Sequence, residues 1–296
     1  MTRFALALTL LAAGCGDDDG STPDSSTTDA QADATAMTVC PDDGPDADGL
    51  MGPCCFRKSN AATPDALEFR MAGIAVSQPT SLASPVVEGV LSTALNSELF
   101  NWLLTAQITG TDVMITTGFG RRANDSTYSF DDTGMFPPVN ITGALNGESI
   151  TTPAVEGSVD LPVFTEDGMT LQIVLPIANV EITNMTLTED RSCVGVFAAG
   201  SYRTMDGSVQ GFITVDDAKS GVVAIGSVNT SLCALTAQTG DMSCDDVPQA
   251  MWQSKPDSLC MGDPITCTQG GCDPDTECNA WQLVAGFSAH GVEVTP

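Results

Sequence analysis

Four stretches of this chain alternate apolar and polar residues with a period of two, and this limits the fold more than any other feature. Leu67, Phe69 and Met71 share one side of the first, and Leu171, Ile173, Leu175 and Ile177 one side of the second. Val209, Gly211, Ile213 and Val215 share one side of the third, and Trp281, Leu283, Ala285, Phe287 and Ala289 alternate over nine residues near the C-terminus. Successive side chains of a strand point to opposite faces, so each stretch reads as a half-buried strand with one face in a core. Asn146-Gly147, Asp167-Gly168 and Asp206-Gly207 lie among these runs, and such dipeptides favour the tight turns of hairpins. The expectation is a mainly β fold, an antiparallel β-sandwich-like domain.

One segment breaks the alternation. Between Ser84 and Gln107, Pro85 suits a first helical position, and Val87, Val90, Leu91, Ala94 and Leu95 recur at helical spacing. Asn96 or Ser97 could cap a second helical stretch carrying Leu99, Trp102 and Leu103. A weaker helical pattern lies within Asp216 to Ala237. One or two helices packed on the sheet are therefore expected, their apolar stripes serving the core. Past Gly240 the chain turns rich in Asp, Pro, Gly and Cys, and reads as a disulfide-stapled segment leading into a last strand.

Export is written at the N-terminus. Arg3 precedes an apolar run from Phe4 to Ala13, too short for the roughly 20 apolar residues of a membrane-spanning helix and the length of a signal-peptide core. Leu11-Ala12-Ala13-Gly14-Cys15 resembles the lipobox of bacterial lipoproteins, although Ala12 stands where Leu is commonest. The resemblance implies acylation of Cys15 and a membrane anchor. Ordinary cleavage after Gly14 also fits, because Ala12-x-Gly14 is a small-x-small site.

Two features favour acylation. The chain has 11 cysteines, and setting Cys15 aside leaves an even set: Cys40, Cys54, Cys55, Cys193, Cys233, Cys244, Cys260, Cys267, Cys272 and Cys278. Residues 16–50 are almost wholly Gly, Ser, Thr, Ala, Pro and Asp, a composition that buries too little apolar surface to fold and reads as an acidic, disordered tether. The expected organisation is residues 1–14 signal peptide, 15–50 acylated cysteine and tether, 51–247 mainly antiparallel β domain, and 248–296 Cys-rich segment ending in a strand of that domain. Gly16 rather than Asp after the cysteine implies the outer membrane, on its periplasmic or surface face.

The formal net charge is −28, and removing Arg3 and the ten aspartates between residues 16 and 50 leaves −19. Such a field repels nucleic acid and anionic membrane surfaces. Outside the cytoplasm, ten cysteines imply disulfides, and their spacing without a C-x2-C knuckle, with one histidine in the chain, argues against zinc. No cofactor is expected. Calcium is the least implausible ion, because Asp46-Ala-Asp48-Gly49 and Cys272-Asp-Pro-Asp-Thr-Glu-Cys278 alternate carboxylates, yet neither completes a calcium loop.

Catalytic patterns fail on context. Gly118-Phe-Gly120-Arg-Arg-Ala123 imitates a dinucleotide fingerprint, but Asn124-Asp-Ser-Thr follows where a helix must begin, so a hairpin is expected. Gly286-Phe-Ser288-Ala-His290 imitates a nucleophile elbow, but the alternation places Ser288 in a strand, with His290 on the same, exposed face and no orienting acid. Glu166-Asp167 and Glu189-Asp190 are neighbours rather than facing pairs. Trp102, Trp252 and Trp281 are the tryptophans open to sugar stacking. With no catalytic constellation, the expected role is binding or structural display on the envelope, rather than catalysis. Two alternatives stay open: a carrier of a hydrophobic ligand such as a lipid, because Val159 to Leu187 is unusually apolar, and a hydrolase using dispersed Asp and Glu. Apolar cavity or filled core, and acid pair or none, separate these readings.

Overall fold

The structure is a computed structural model that describes residues 58–124, 127–131, 133–164, 171–195, 197–198, 201–202, 204–225, 228–240 and 243–295. The signal, Cys15, the tether, Asp46 to Gly49, Cys40, Cys54, Cys55 and Glu166-Asp167-Gly168 lie outside the described residues. Those described fall within one compact unit, Thr38–Pro296.

In chain order the first elements are β1 (Ala66–Gln78), α1 (Pro85–Asn96), β2 (Trp102–Thr109), β3 (Asp112–Arg122), β4 (Thr127–Phe130), β5 (Val139–Asn146), β6 (Ser149–Thr151), β7 (Ser158–Phe164) and β8 (Leu171–Thr186). There follow β9 (Cys193–Val194), β10 (Phe197–Ala198), β11 (Ser201–Tyr202), β12 (Gly207–Thr214), α2 (Val215–Ser220), β13 (Val222–Ile225), β14 (Val228–Ser231) and α3 (Leu232–Ala237). A 3-10 turn at Gln249–Met251 precedes β15 (Ser258–Met261), β16 (Thr266–Gln269), β17 (Ala280–Gly291) and β18 (Glu293–Thr295).

The chain is mainly β and antiparallel, as the alternation requires, but the expected sandwich is a closed barrel. Eight strands run in the order β1-β2-β3-β5-β6-β8-β12-β17, and β17 pairs back onto β1. Phe69 lies opposite Gly291 and Gln78 opposite Val284, while the other edge of β17 pairs with β12 from Gly207–Phe287 to Thr214–Ala280. A strand hydrogen-bonded along both edges removes the open edges that a sandwich would leave. Two register shifts in β1, between Met71 and Gly73 and between Val76 and Gln78, bend it around the closure.

One face of each alternating run points inward. Leu67, Phe69, Ile115, Ile150, Ile177, Ile213, Leu283, Ala285 and Phe287 are buried in the central cluster. Outward positions on β2, β3 and β5 carry Gln107, Asp112, Asn140 and Thr142, all exposed. Apolar inside and polar outside is the reverse of a membrane-spanning barrel. Among the described residues no helix is long and apolar enough to cross a membrane.

Local expectations divide. Gly147, at φ 62°, makes the β5–β6 turn as its Asn-Gly dipeptide implies. Asp206-Gly207 is not a hairpin turn: Gly207 lies within β12, where a Cβ would come 2.5 Å from the Phe287 ring. The helix begins at Pro85, with Ser84 Oγ accepting from Val87 N at its start, but it ends at Asn96. Trp102–Thr109 is a strand, correcting the expected second helical stretch. The misreading has a cause: Leu103 faces outward into a small second cluster with Tyr128, Val292 and Val294, so β2 is apolar on both sides where they meet. The weaker helix within Asp216 to Ala237 is two short helices, α2 and α3, separated by the β13–β14 hairpin.

Three disulfides join Cys233 to Cys244, Cys260 to Cys267 and Cys272 to Cys278. Cys193 is also disulfide-bonded. Cys260 and Cys267 sit directly opposite in the β15–β16 hairpin, so the C-terminal segment is stapled as expected. The strand expected at Trp281 to Ala289 is β17, one of the eight barrel strands, and β18 follows it.

Candidate functional site: an apolar barrel lumen

Inward side chains from all around the barrel leave an enclosed void of about 90 Å³. Phe69, Met71, Ile74 and Val76 of β1 line one side, and Leu283, Ala285, Phe287 and Ala289 of β17 the next. Val159 and Leu161 of β7 and Leu175, Ile177, Val180, Ile182 and Met185 of β8 line the opposite wall. Of the apolar stretch from Val159 to Leu187, these seven residues are thus wall, and the lumen is neither fully packed nor a large pouch. A void that offers water almost no polar partners stays dry.

One part of this wall is built differently. Beyond Met71, β1 pairs only with β17, and β7 pairs only with β8. Helix α1 packs against both strands. Val87, Val90 and Leu91 project from it into the void, with Leu82 just ahead of it. Side-chain packing holds this section where strand pairing holds the rest, and such regions open at lower free energy. Val223 and Leu235, from the segment between β12 and the stapled C-terminal part, also reach the void.

Polar groups are nearly absent from the lining. Thr117 and the indole of Trp102 are the exceptions, and Thr117 Oγ1 donates to Leu103 O at 2.9 Å. Asp160, between the lining residues Val159 and Leu161, is exposed. Its carboxyl is raised from the ordinary 3.8, first by desolvation and then by the negative charge of Asp217 on α2.

Ser288 and His290 share a face of β17 as expected, but that face is covered, not exposed: their exposures are 0% and 2%. At Gly73, opposite Ser288, a Cβ would lie 2.6 Å from Ser288 Oγ and 2.9 Å from Met205 Cε, so the Met205 side chain closes over this spot. Arg70 and Cys193 flank His290 in the sheet. Arg70 is buried, with Nε donating to Asn101 Oδ1 at 2.6 Å, Nη2 donating to Leu95 O at 2.5 Å, and its guanidinium 5.8 Å from the Tyr128 ring centre. The arginine holds α1 to the barrel and belongs to the scaffold.

The remaining candidates are structural. Gly118 and Gly120 lie in β3, which turns into β4, giving the expected hairpin. Glu189-Asp190 sits in a turn in which Asp190 Oδ1 accepts from Ser192 N and Thr188 Oγ1. Trp252 and Trp281 are buried and stack at 5.7 Å, so neither offers a sugar platform, and Trp102 turns into the lumen. In the 272–278 loop, Asp273 accepts from Asp275 N and Thr276 Oγ1, and Asp275 pairs with Lys255. These carboxylates are committed to the loop itself, and among the described residues no group of three or more His, Cys, Asp or Glu is placed to hold a metal.

Sequence reading missed a second concavity. On the outer wall an open groove of about 840 Å³ runs past Thr109, Asp112, Met114, Thr142, Thr152 and Glu181. Glu181 accepts from Gln210 Nε2 at 2.7 Å. No periodicity marks this groove, because residues from five strands, β2, β3, β5, β6 and β8, meet there only through strand pairing.

In comparisons with known proteins, no family model, curated protein or solved structure matches this chain.

Proposed function

We propose that this protein is a binding protein of the bacterial envelope that encloses a small apolar molecule in its barrel lumen. The observation that supports this best is the void of about 90 Å³ with an almost wholly apolar lining at the centre of a closed barrel. Eight-stranded barrels have interiors just wide enough to be filled by side chains or to hold one small ligand, and here the filling is incomplete. The void is smaller than the roughly 300–1,000 Å³ of ordinary ligand pockets. The occupant is therefore small, or a larger one displaces α1. In this reading the protein is a lipoprotein whose Cys15 carries acyl chains at the outer membrane, and the acidic tether holds the barrel off the surface. It performs no chemistry on what it binds.

The test is native mass spectrometry of the full-length protein extracted from its own membrane, followed by the same measurement after denaturation. The expected result is a small added mass lost on denaturation, and acyl chains on Cys15 that persist. A denatured mass without acyl chains removes the anchor. A native mass with nothing bound, under conditions that retain small ligands, leaves recognition by exposed loops as the role of the scaffold.

A further inference from the structure

We infer that the lumen selects an uncharged, hydrocarbon-like ligand and rejects anionic amphiphiles, fatty acids and phospholipids among them. This rests on the lumen being the binding site, and it follows from what the wall lacks as much as from what it holds.

A carboxylate or phosphate leaving water needs a cation or several N–H donors, because an unpaired buried charge is among the costliest groups a protein can hold. The lining holds no cation and too few donors. Thr117 and Trp102 are its residues with a polar side-chain group: the Thr117 hydroxyl is already donated to Leu103 O, and the Trp102 indole offers at most a single N–H. The backbone amides of β12 and β17 are committed to strand pairing on both sides, and against the one-sided β7 and the part of β1 beyond Met71 packs α1, which presents Val87, Val90 and Leu91 to the void.

Nor do the described residues lend a cation from nearby. Arg70 is held outside the barrel wall by Asn101 and Leu95. Lys58, Arg121, Arg122, Arg191, Lys219 and Lys255 each sit on a carboxylate. These seven are all the lysines and arginines among the described residues, and none lines the lumen. Of the charges one residue from the lining, Arg70, between Phe69 and Met71, is committed to Asn101 and Leu95, while Asp160, with Asp217 close by, and Glu88 are negative. Among the described residues an anion therefore meets no uncommitted cation, and inside it finds almost only apolar surface. A hydrocarbon meets only apolar surface.

The experiment is a titration of the full-length folded protein, with methyl groups isotopically labelled, using n-pentane, 1-butanol and n-butyrate at neutral pH. Pentane is expected to shift the methyl signals of Leu161, Ile177 and Val209 and to raise the melting temperature. Butanol should bind about tenfold more weakly, and butyrate at least about 100-fold more weakly. Butyrate binding at the same methyls within tenfold of pentane would overturn the selection for uncharged ligands while leaving the lumen as the site. If neither ligand shifts these methyls, the lumen is not a binding site, and the proposed function falls with the inference. Ala285→Leu, which puts a larger side chain into the void, should abolish the pentane shifts. If that variant fails to fold, the identity of the shifted methyls in the unsubstituted protein still locates the site.

Discussion

Replacing Phe287 by alanine tests the barrel and its lumen together. The ring is 4% exposed, lines the void, and covers Gly207 so closely that a Cβ there would approach to 2.5 Å. Its loss removes a whole phenyl group from a wall in which β12 is hydrogen-bonded on both sides and β1, beside Phe287, to β17 alone. The usual range for a buried Phe→Ala applies, about 3–5 kcal/mol. For a domain of this size that corresponds to a fall in melting temperature of about 6–20 °C. The truncation also enlarges the void, so an apolar ligand should restore part of the loss. At a concentration 100 times its Kd, a ligand bound only by the folded state restores about 2.7 kcal/mol. Urea unfolding of wild type and Phe287→Ala, with and without saturating benzene, reads both effects. A loss below about 1 kcal/mol would mean that the ring is not packed inside a closed wall. A full loss that benzene does not relieve would mean that the lumen is not open to small apolar molecules.

Three further predictions follow from particular contacts. Arg70→Met should destabilise by about 1–3 kcal/mol for each acceptor it orphans at Asn101 and Leu95, seen as a lower urea midpoint; a change under about 0.5 kcal/mol would contradict its scaffold role. Replacing Cys260 and Cys267 together by serine should cost about 2–3 kcal/mol, the value for a short closed loop, and an unchanged thermal midpoint would show that the β15–β16 hairpin holds without its staple. Asp160→Asn should stabilise the protein at pH 7. The folded state raises this carboxyl above its ordinary 3.8 and so penalises the ionised form; the penalty is complete above the folded pKa and gone below 3.8. Melting curves of the two proteins should therefore converge as pH falls into that range, and an asparagine variant less stable at pH 7 would refute the assignment.

The strands were legible because period two is a property of single segments. Leu67 to Met71 and Trp281 to Ala289 read correctly from local pattern alone, and both line the lumen. Closure was not legible, because it depends on β1 finding β17 across more than 200 residues of chain, and nothing in either segment names its partner. A sandwich and a barrel bury the same alternating faces. Leu103 shows a second limit: two cores meet across one strand, and the resulting apolar run imitates a helix. Ser288 and His290 show a third, since the outward face of a strand looks exposed until other side chains cover it, Met205 beside Ser288 among them. The apolar character of Val159 to Leu187 is compatible with a filled core as well as with a cavity wall, and composition could not give the size of the void that its described residues border. That size is the small difference between the circumference of eight strands and the bulk of the side chains inside them.

A crystal of the full-length protein pressurised with xenon tests the central claim most directly, because xenon reports empty apolar space without needing any hydrogen-bonding partner. The account predicts one strong anomalous peak inside the barrel, within contact distance of Leu161, Ile177, Ala285 and Phe287. Xenon absent from the barrel interior, or bound only outside it, would show that side chains fill the lumen, and the protein would then be a displayed scaffold rather than a container.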